Sequence, residues 1–104
     1  MIKELTVEQL KSMIDNKEDF QLIDVREPYE YEEKNMNGLL IPMGDIPSEL
    51  DKIARDKKVV VHCKSGARSA NVIAYLQEKH GMQNLYNLKG GILAWIAAYG
   101  RSSQ

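Results

Sequence analysis

The stretch that decides the fold of this chain is VVVHCKSGARS, residues 59–69. An uninterrupted apolar run leads into Cys63, the only cysteine, and small, polar and basic residues follow before a helical pattern begins. Apolar runs without alternation are typical of strands that are covered on both faces of a parallel sheet. The stretch therefore predicts a buried strand, a tight loop that carries the cysteine, and a helix that begins at Gly66.

Outside this stretch, short apolar runs alternate with amphipathic segments. The apolar runs predict five strands, at residues 2–5, 21–25, 39–41, 58–62 and 84–88. The amphipathic segments predict five helices: one after Thr6 as N-cap, then residues 29–34, 45–55 and 66–80, and one from Gly91 to near Gly100. Strands that alternate with helices in this way indicate an α/β fold.

Length and composition exclude several classes of protein. The 104 residues suit a single domain spanning residues 1–104, in which residues 101–104 are expected to fray. A composition of 43% hydrophobic and 28% charged residues is typical of a globular protein with a core. The net charge of -1 gives no support for binding nucleic acid or a membrane surface. No apolar run approaches the ~20 residues that a membrane-spanning helix needs.

The cysteine count indicates a reducing compartment. The start of the chain lacks the charged residues and apolar core of a signal peptide, which together with one cysteine predicts a cytoplasmic protein. A lone cysteine cannot form a disulfide within the chain or a cysteine-only metal site. Cys63 is therefore either a reactive nucleophile or a packed, inert side chain.

The surroundings of Cys63 favour a reactive thiolate. Ligands of open parallel sheets bind beyond the C-terminal ends of the strands, and Cys63 lies at such an end. The loop after it leads into a helix N-terminus, where unpaired N–H groups and the helix dipole favour an anion. Gly66 permits a turn that points several N–H groups at one spot, and Lys64 and Arg68 add positive charge. Thiols in such places have pKa values of ~3.5–7.5 instead of ~8.5.

Other polar residues have more limited predicted roles. His62 is not expected to act as a base for the cysteine, because adjacent side chains on a strand point to opposite faces. Asp24 and Arg26 lie at the end of the second strand. If the second strand neighbours the fourth, we expect Asp24 to accept hydrogen bonds from the loop. We expect Arg26 to pair with Glu27, Glu30 or another acid nearby; the alternative is plain surface pairing, which contributes little to stability. The acidic run at residues 29–33 predicts a solvated helix face.

Three motifs in order resemble the rhodanese-like domains, the sulfurtransferase family. LIDVREP at residues 22–28 resembles the family's first signature, CKSGARS at residues 63–69 its active-site loop, and GGILAW at residues 90–95 its closing signature. The resemblance covers nearly the whole chain. One departure is Asn35, which stands where the family usually carries a histidine before a glycine.

The resemblance implies a single domain with a five-stranded, mainly parallel sheet flanked by helices on both faces. It implies a sulfurtransferase in which Cys63 takes a sulfane sulfur from a small anionic donor such as thiosulfate, becomes a persulfide, and passes the sulfur to cyanide or a thiol. Neither a metal nor an organic cofactor is implied, and a sulfur-relay protein is a further candidate partner. The loop backbone would cradle the persulfide, and Lys64 and Arg68 would attract the donor. The implied loop comprises Lys64, Ser65, Gly66, Ala67, Arg68 and Ser69.

Two other functions remain open. Relatives on the same fold cleave phosphate esters, which makes a phosphatase or arsenate reductase one alternative. Four residues separate Cys63 from Arg68, however, one fewer than in the phosphatase signature, and a smaller ring suits a sulfur atom better than a tetrahedral phosphate. The other alternative is a non-enzymatic sulfur carrier or docking module. Docking relatives have lost the cysteine, which this chain has.

Overall fold

The computed structural model describes residues 1–100 and contains one sheet of five strands in the order β1-β5-β4-β2-β3. The strands are β1 (Lys3–Leu5), β2 (Phe20–Asp24), β3 (Leu39–Leu40), β4 (Lys58–His62) and β5 (Leu85–Leu88). The α-helices are α1 (Val7–Asp15), α2 (Pro28–Glu33), α3 (Ala67–His80) and α4 (Gly91–Tyr99). Every neighbouring pair of strands is parallel, which confirms the predicted α/β class and makes the sheet parallel throughout rather than mainly so.

β4 lies in the middle of the sheet and is buried on both faces. Val59 and Val61 pack on one face in a cluster with Ile73 of α3. Val60 packs on the other face in a cluster with residues of α1 and with Trp95 of α4. The prediction of a strand covered on both faces is therefore confirmed, and so is the prediction of helices on both sides of the sheet.

The N-terminus of α1 is capped as its sequence predicts. The Thr6 hydroxyl accepts a hydrogen bond from the Gln9 N–H at 3.1 Å, and the Gln9 side chain accepts one from the Thr6 N–H at 2.8 Å. Leu10 and Met13 are buried, but Ile14, expected on the same apolar stripe, is 42% exposed. The buried stripe of α1 is thus narrower than predicted.

The α-helix predicted at residues 45–55 is wrong. The chain there forms two short 3-10 helices, Met43–Ser48 and Leu50–Lys52. Pro47 has no N–H to donate, and Glu49 leaves the helical region with φ -121 and ψ 25, so a continuous α-helical ladder cannot form. Ile46 and Ile53 are nevertheless buried. The apolar spacing located the buried side of the segment but not its backbone conformation.

The register of the central strands places the end of β4 between two polar residues. Asp24 of β2 lies opposite His62, and Asn87 of β5 lies opposite Val61. The loop that follows β4 therefore emerges between the C-terminal ends of β2 and β5, at the edge where parallel sheets bind ligands.

Two predictions, the cytoplasmic location and the fraying of the C-terminal residues, stay predictions. None of the helices in residues 1–100 is long and apolar enough to cross a membrane, and the cytoplasmic location stays a prediction. The fraying predicted for residues 101–104 concerns a segment outside the described residues.

Candidate active site

Cys63 follows β4 directly, in the loop that leads into α3. Its side chain is 1% exposed, so its sulfur lies at the floor of this loop. Gly66 caps α3 with a φ of 116°, a conformation that side chains with a Cβ rarely adopt. An added Cβ there would meet nothing closer than 3.8 Å, so the glycine is needed for its backbone conformation and not for space.

The loop directs hydrogen-bond donors at the Cys63 sulfur. The N–H of Gly66 donates to Sγ at 3.1 Å, and the N–H of Ser69 does so at 3.4 Å. The Ser69 hydroxyl oxygen lies 3.4 Å from the same sulfur. These donors come from the first turn of α3 and the residue before it, as the glycine and the helix N-terminus predicted.

These contacts make the Cys63 thiol more acidic. Burial raises the pKa of the thiol, but the hydroxyl and N–H of Ser69 and the N–H groups of Gly66 and Ser65 lower it by more. The pKa of Cys63 is therefore below that of an ordinary thiol, in the predicted direction. The N–H groups at the N-terminus of α3 are a predicted cause, and the Ser69 hydroxyl is one that the prediction did not include.

The N-terminus of α4 holds the loop from below. The N–H of Ile92 donates to the Cys63 carbonyl at 2.9 Å, and the N–H of Leu93 donates to the Lys64 carbonyl at 3.1 Å. Gly91 permits this approach, because a Cβ at this position would lie 2.6 Å from the Cys63 carbonyl oxygen. The motif at residues 90–95 thus fixes the backbone of the cysteine loop.

Arg68 is bound to a carboxylate and is not free to attract an anion. Its Nη1 and Nη2 donate to Oε1 and Oε2 of Glu30 at 2.8 and 3.0 Å. The Glu30 side chain is only 14% exposed. The hydrogen bond from Arg68 is the largest cause that lowers the pKa of Glu30 to about 2, and burial opposes it. A backbone hydrogen bond at Glu27 and the positive charges of Arg68 and Arg26 lower the pKa further. The prediction that residues 29–33 form a purely solvated face is therefore wrong at Glu30.

Asp24 binds Arg26 and not the loop. The Arg26 backbone N–H and Nε both donate to Asp24 Oδ1 at 3.0 Å, and Nη2 donates to Oδ2 at 2.8 Å. Arg26 Nη2 also donates to the Lys34 carbonyl at 2.7 Å. Within residues 1–100, no hydrogen bond joins Asp24 to the Cys63 loop, so that predicted contact is wrong. Arg26 is thus paired with an acid, as predicted, and the acid is Asp24 and not Glu27 or Glu30.

His62 is enclosed in the sheet beneath the loop and is fully buried. Its Nε2 lies 3.7 Å from Oδ2 of Asp24, and its Nδ1 lies 3.4 Å from the Cys63 carbonyl oxygen. Burial lowers the pKa of His62, with Asp24 opposing this effect. The ring makes no hydrogen bond to the sulfur, in agreement with the prediction that it is not the base. The described residues contain no group of three or more metal-ligating side chains suited to a metal ion.

Lys64 is the cation of the loop that the structure leaves unpaired. It is exposed, and no carboxylate in residues 1–100 forms an ion pair with it. It borders a cleft of ≈ 280 Å³ beside the loop. The cleft is also lined by Tyr29 and Leu93, whose exposed fractions are 67% and 49%.

Comparison with known proteins agrees with this geometry. The sequence profile of the family described as the rhodanese-like domain matches residues 6–98. The chain belongs to this family. A sulfurtransferase of Allochromatium vinosum is 38% identical over 96 residues, covering 91% of this chain and 89% of the relative. The putative sulfurtransferase YtwF of Bacillus subtilis is 42% identical over 95 residues, 90% of each protein.

A solved structure supports the same assignment. The rhodanese-like domain protein of Staphylococcus aureus superimposes with a TM-score of 0.83 and 32% sequence identity. The match covers 90% of this chain and 91% of that one. The predicted family and fold are thus confirmed, and the chain is a member of the rhodanese-like sulfurtransferases.

Two residues that contact the loop of this rhodanese-like domain escaped the sequence prediction. Glu30 is 38 positions from Arg68, and a solvent-facing role fitted its acidic neighbours equally well. Asn87 bonds both Ser69 and Gly66 from the neighbouring strand. The signal for Asn87 was present in the sequence, because a buried amide in an otherwise apolar strand needs polar partners.

Proposed function

We propose that this rhodanese-like domain transfers sulfane sulfur through a persulfide on Cys63, with thiosulfate as one donor. The thiolate attacks the outer sulfur of thiosulfate, a new S–S bond forms, and the S–S bond of the donor breaks. The leaving group is sulfite, which departs with the electron pair of that bond. A thiophilic acceptor then attacks the outer sulfur of the persulfide and regenerates the thiolate; with cyanide the product is thiocyanate.

The observation that carries this proposal is the convergence of loop donors on the Cys63 sulfur. The N–H groups of Gly66 and Ser69 point at Sγ, and within residues 1–100 no histidine forms a hydrogen bond with it. A thiolate that is stabilised in this way needs no general base, because it is already the nucleophilic form.

The same loop suits the intermediate. After the first step the negative charge lies on the outer sulfur, and the donors of the loop are fixed by the backbone before the charge arrives. Preorganised N–H groups stabilise developing negative charge without a cost for reorienting them. The unpaired Lys64 ammonium supplies the positive charge that favours the approach of a small dianionic donor.

Intact-mass measurement after incubation with thiosulfate tests the proposal. We expect one added sulfur on the wild-type protein, and its removal by cyanide with formation of thiocyanate. Cys63→Ser is the matched control, because the serine hydroxyl has nearly the same shape but cannot carry a persulfide. Circular dichroism of both proteins establishes that they are folded.

Three results would contradict the proposal. Wild-type protein that gains no sulfur would exclude persulfide formation from thiosulfate. A folded Cys63→Ser variant that still gains sulfur or turns over thiosulfate would exclude Cys63 as the carrier atom. An added sulfur that neither cyanide nor a small thiol removes would identify a sulfur carrier rather than a transfer enzyme.

A further inference from the structure

Asn87 is a buried amide that faces the cysteine loop from β5. It is only 4% exposed, and it is a polar residue in the same strand as Leu85 and Leu88, which are apolar and fully buried. Its register partner on β4 is Val61, two residues before Cys63. A buried amide without partners is costly, so the side chain must use its polar atoms in this position.

Both ends of the Asn87 amide are used by the loop. Its Oδ1 accepts a hydrogen bond from the Ser69 hydroxyl at 2.6 Å, and its Nδ2 donates to the Gly66 carbonyl at 3.1 Å. The orientation of the amide is fixed, because the Gly66 carbonyl can only accept. The Ser69 hydroxyl must therefore be the donor in the shorter contact.

The Ser69 hydroxyl has one proton and three acceptors within reach. These are Asn87 Oδ1 at 2.6 Å, the Gly66 carbonyl at 3.2 Å and Cys63 Sγ at 3.4 Å. A hydroxyl proton can serve only one of them well at a time. Asn87 holds the shortest contact and therefore competes with the sulfur for this proton.

We propose that Asn87 is a positioning residue that competes for the Ser69 hydroxyl proton and so weakens its hydrogen bond to the resting Cys63 sulfur. The N–H groups of Gly66 and Ser69 then carry the larger part of the stabilisation of the thiolate. The benefit of this arrangement rests on the proposed sulfur transfer, whereas its effect on the acidity of the Cys63 thiol does not. In the persulfide, Sγ is bonded to two atoms and the charge lies on the outer sulfur, so Sγ no longer needs that proton.

The consequence is a thiolate that is more nucleophilic than the loop could otherwise make it. A thiolate that receives a weaker hydrogen bond is more basic, and thiolate nucleophilicity in sulfur exchange rises with basicity, with a Brønsted coefficient of ~0.4–0.5. Asn87 thereby withholds stabilisation from the reactant and leaves the intermediate unaffected.

A double-mutant cycle on iodoacetamide alkylation tests this inference without any sulfur donor. The four proteins are wild type, Asn87→Leu, Ser69→Ala and the double variant, each measured as alkylation rate against pH. Leucine matches asparagine in shape and excludes water, and the Gly66 carbonyl keeps its bond from the Ala70 N–H at 3.1 Å. We expect Asn87→Leu to move the inflection to lower pH, because the freed hydroxyl donates to the thiolate.

Two further readouts separate positioning from a purely structural role. The plateau rate of Asn87→Leu at high pH should fall roughly threefold for each tenfold gain in thiol acidity. In the Ser69→Ala background the Asn87 substitution should leave the inflection unchanged. The nearby charged groups are Lys64 in the loop and Arg68 with its partner Glu30, and none of these is altered in the cycle.

An inflection that moves to higher pH in Asn87→Leu, or by the same amount with and without Ser69, would overturn the inference. Should Asn87→Leu not fold, Asn87→Ala carries the test with the same sign, because it also removes the competing acceptor and adds no charge; an inflection at higher pH would then contradict the inference. The thiosulfate mass experiment is independent of this cycle. Failure of one therefore leaves the other standing.

Discussion

Arg68 and Glu30 form a two-point ion pair above the cysteine loop, with N···O distances of 2.8 and 3.0 Å. The pair joins the first turn of α3 to α2, so the helix that carries the loop is fastened to the helix after β2. It also compensates the guanidinium charge next to the thiolate. If a small anionic donor binds at the loop, the Arg68 charge that it meets should depend on Glu30.

Glu30→Gln should increase the apparent affinity for thiosulfate. Glutamine has the size of glutamate but no charge, so the Arg68 guanidinium is left uncompensated beside the loop. We expect the KM for thiosulfate to fall, on the order of threefold, and the difference to shrink at high ionic strength. Glu32→Gln is the matched control, because Glu32 is an exposed carboxylate of the same helix. Equal KM values for all three proteins would show that the pair does not control donor binding.

The same ion pair makes stability depend on pH. The pKa of Glu30 is lowered from 4.5 to about 2 in the folded protein. A lowered carboxyl pKa stabilises the fold above the unfolded value, and this stability is lost as pH falls from 4.5 towards 2. The loss is about 2–3 kcal/mol. Urea unfolding between pH 6 and pH 3 should show it in the wild type and not in Glu30→Gln; parallel curves would contradict the assignment.

Hydrogen bonds, rather than loop cations, should dominate the ionisation of Cys63. Ser69→Ala removes a hydroxyl that lowers the pKa of Cys63, so its alkylation inflection should move to higher pH. Lys64→Ala removes an exposed charge and should move the inflection less, because solvent screens it. Alkylation rates against pH provide the comparison. A larger shift in Lys64→Ala than in Ser69→Ala would restore the charge-based explanation.

The elements around Cys63 were predictable because their signals are local. The valines of β4 have no polar alternation, Gly66 marks the left-handed turn, and α3 has apolar spacing up to Gly81. Each of these preferences depends on neighbours within a few residues, and the structure satisfies all of them. The helix predicted around Pro47 was wrong although its signals are also local. The prediction gave the apolar spacing more weight than the missing N–H of proline.

The partners of the loop were not predictable because they depend on strand order. Glu30 meets Arg68 and Asn87 meets Ser69 only because β2 and β5 flank β4 in the sheet. A single sequence does not show which strands are neighbours in the sheet or how their residues align. Asp24 illustrates the limit, since its position at the end of the second strand was predicted but its hydrogen-bond partner was not.

Gly91→Ala should destabilise the fold and displace the loop. The residue has a φ of 61°, and an added Cβ would overlap the carbonyl group of Cys63 at 2.6 Å. We expect a loss of about 2 kcal/mol or more in the free energy of unfolding. Gly44→Ala is the matched control, because a Cβ there meets nothing within 4 Å, and it should change stability by no more than about 0.5 kcal/mol. Similar unfolding curves for the two variants would contradict the close approach.

Loop length should decide between sulfur transfer and phosphate chemistry. Gly66 N–H lies 3.1 Å from Sγ and Ser69 N–H lies 3.4 Å from it, so both donors converge on a single sulfur atom. A phosphate places three oxygens above the sulfur and needs a wider ring of donors. The wild type should therefore turn over thiosulfate and show no useful hydrolysis of aryl phosphates.

A one-glycine insertion between Gly66 and Ala67 tests this geometry directly. The insertion moves the Ser69 N–H away from Sγ and widens the ring, while glycine accepts most backbone angles. Thiosulfate turnover should fall at least tenfold, by a rough estimate from the loss of one oriented donor. An insertion after Lys17, in the exposed turn that follows α1, controls for the added residue. Wild-type cleavage of aryl phosphate faster than thiosulfate turnover would mean that loop length does not set specificity, and the proposed sulfur transfer would have to be withdrawn.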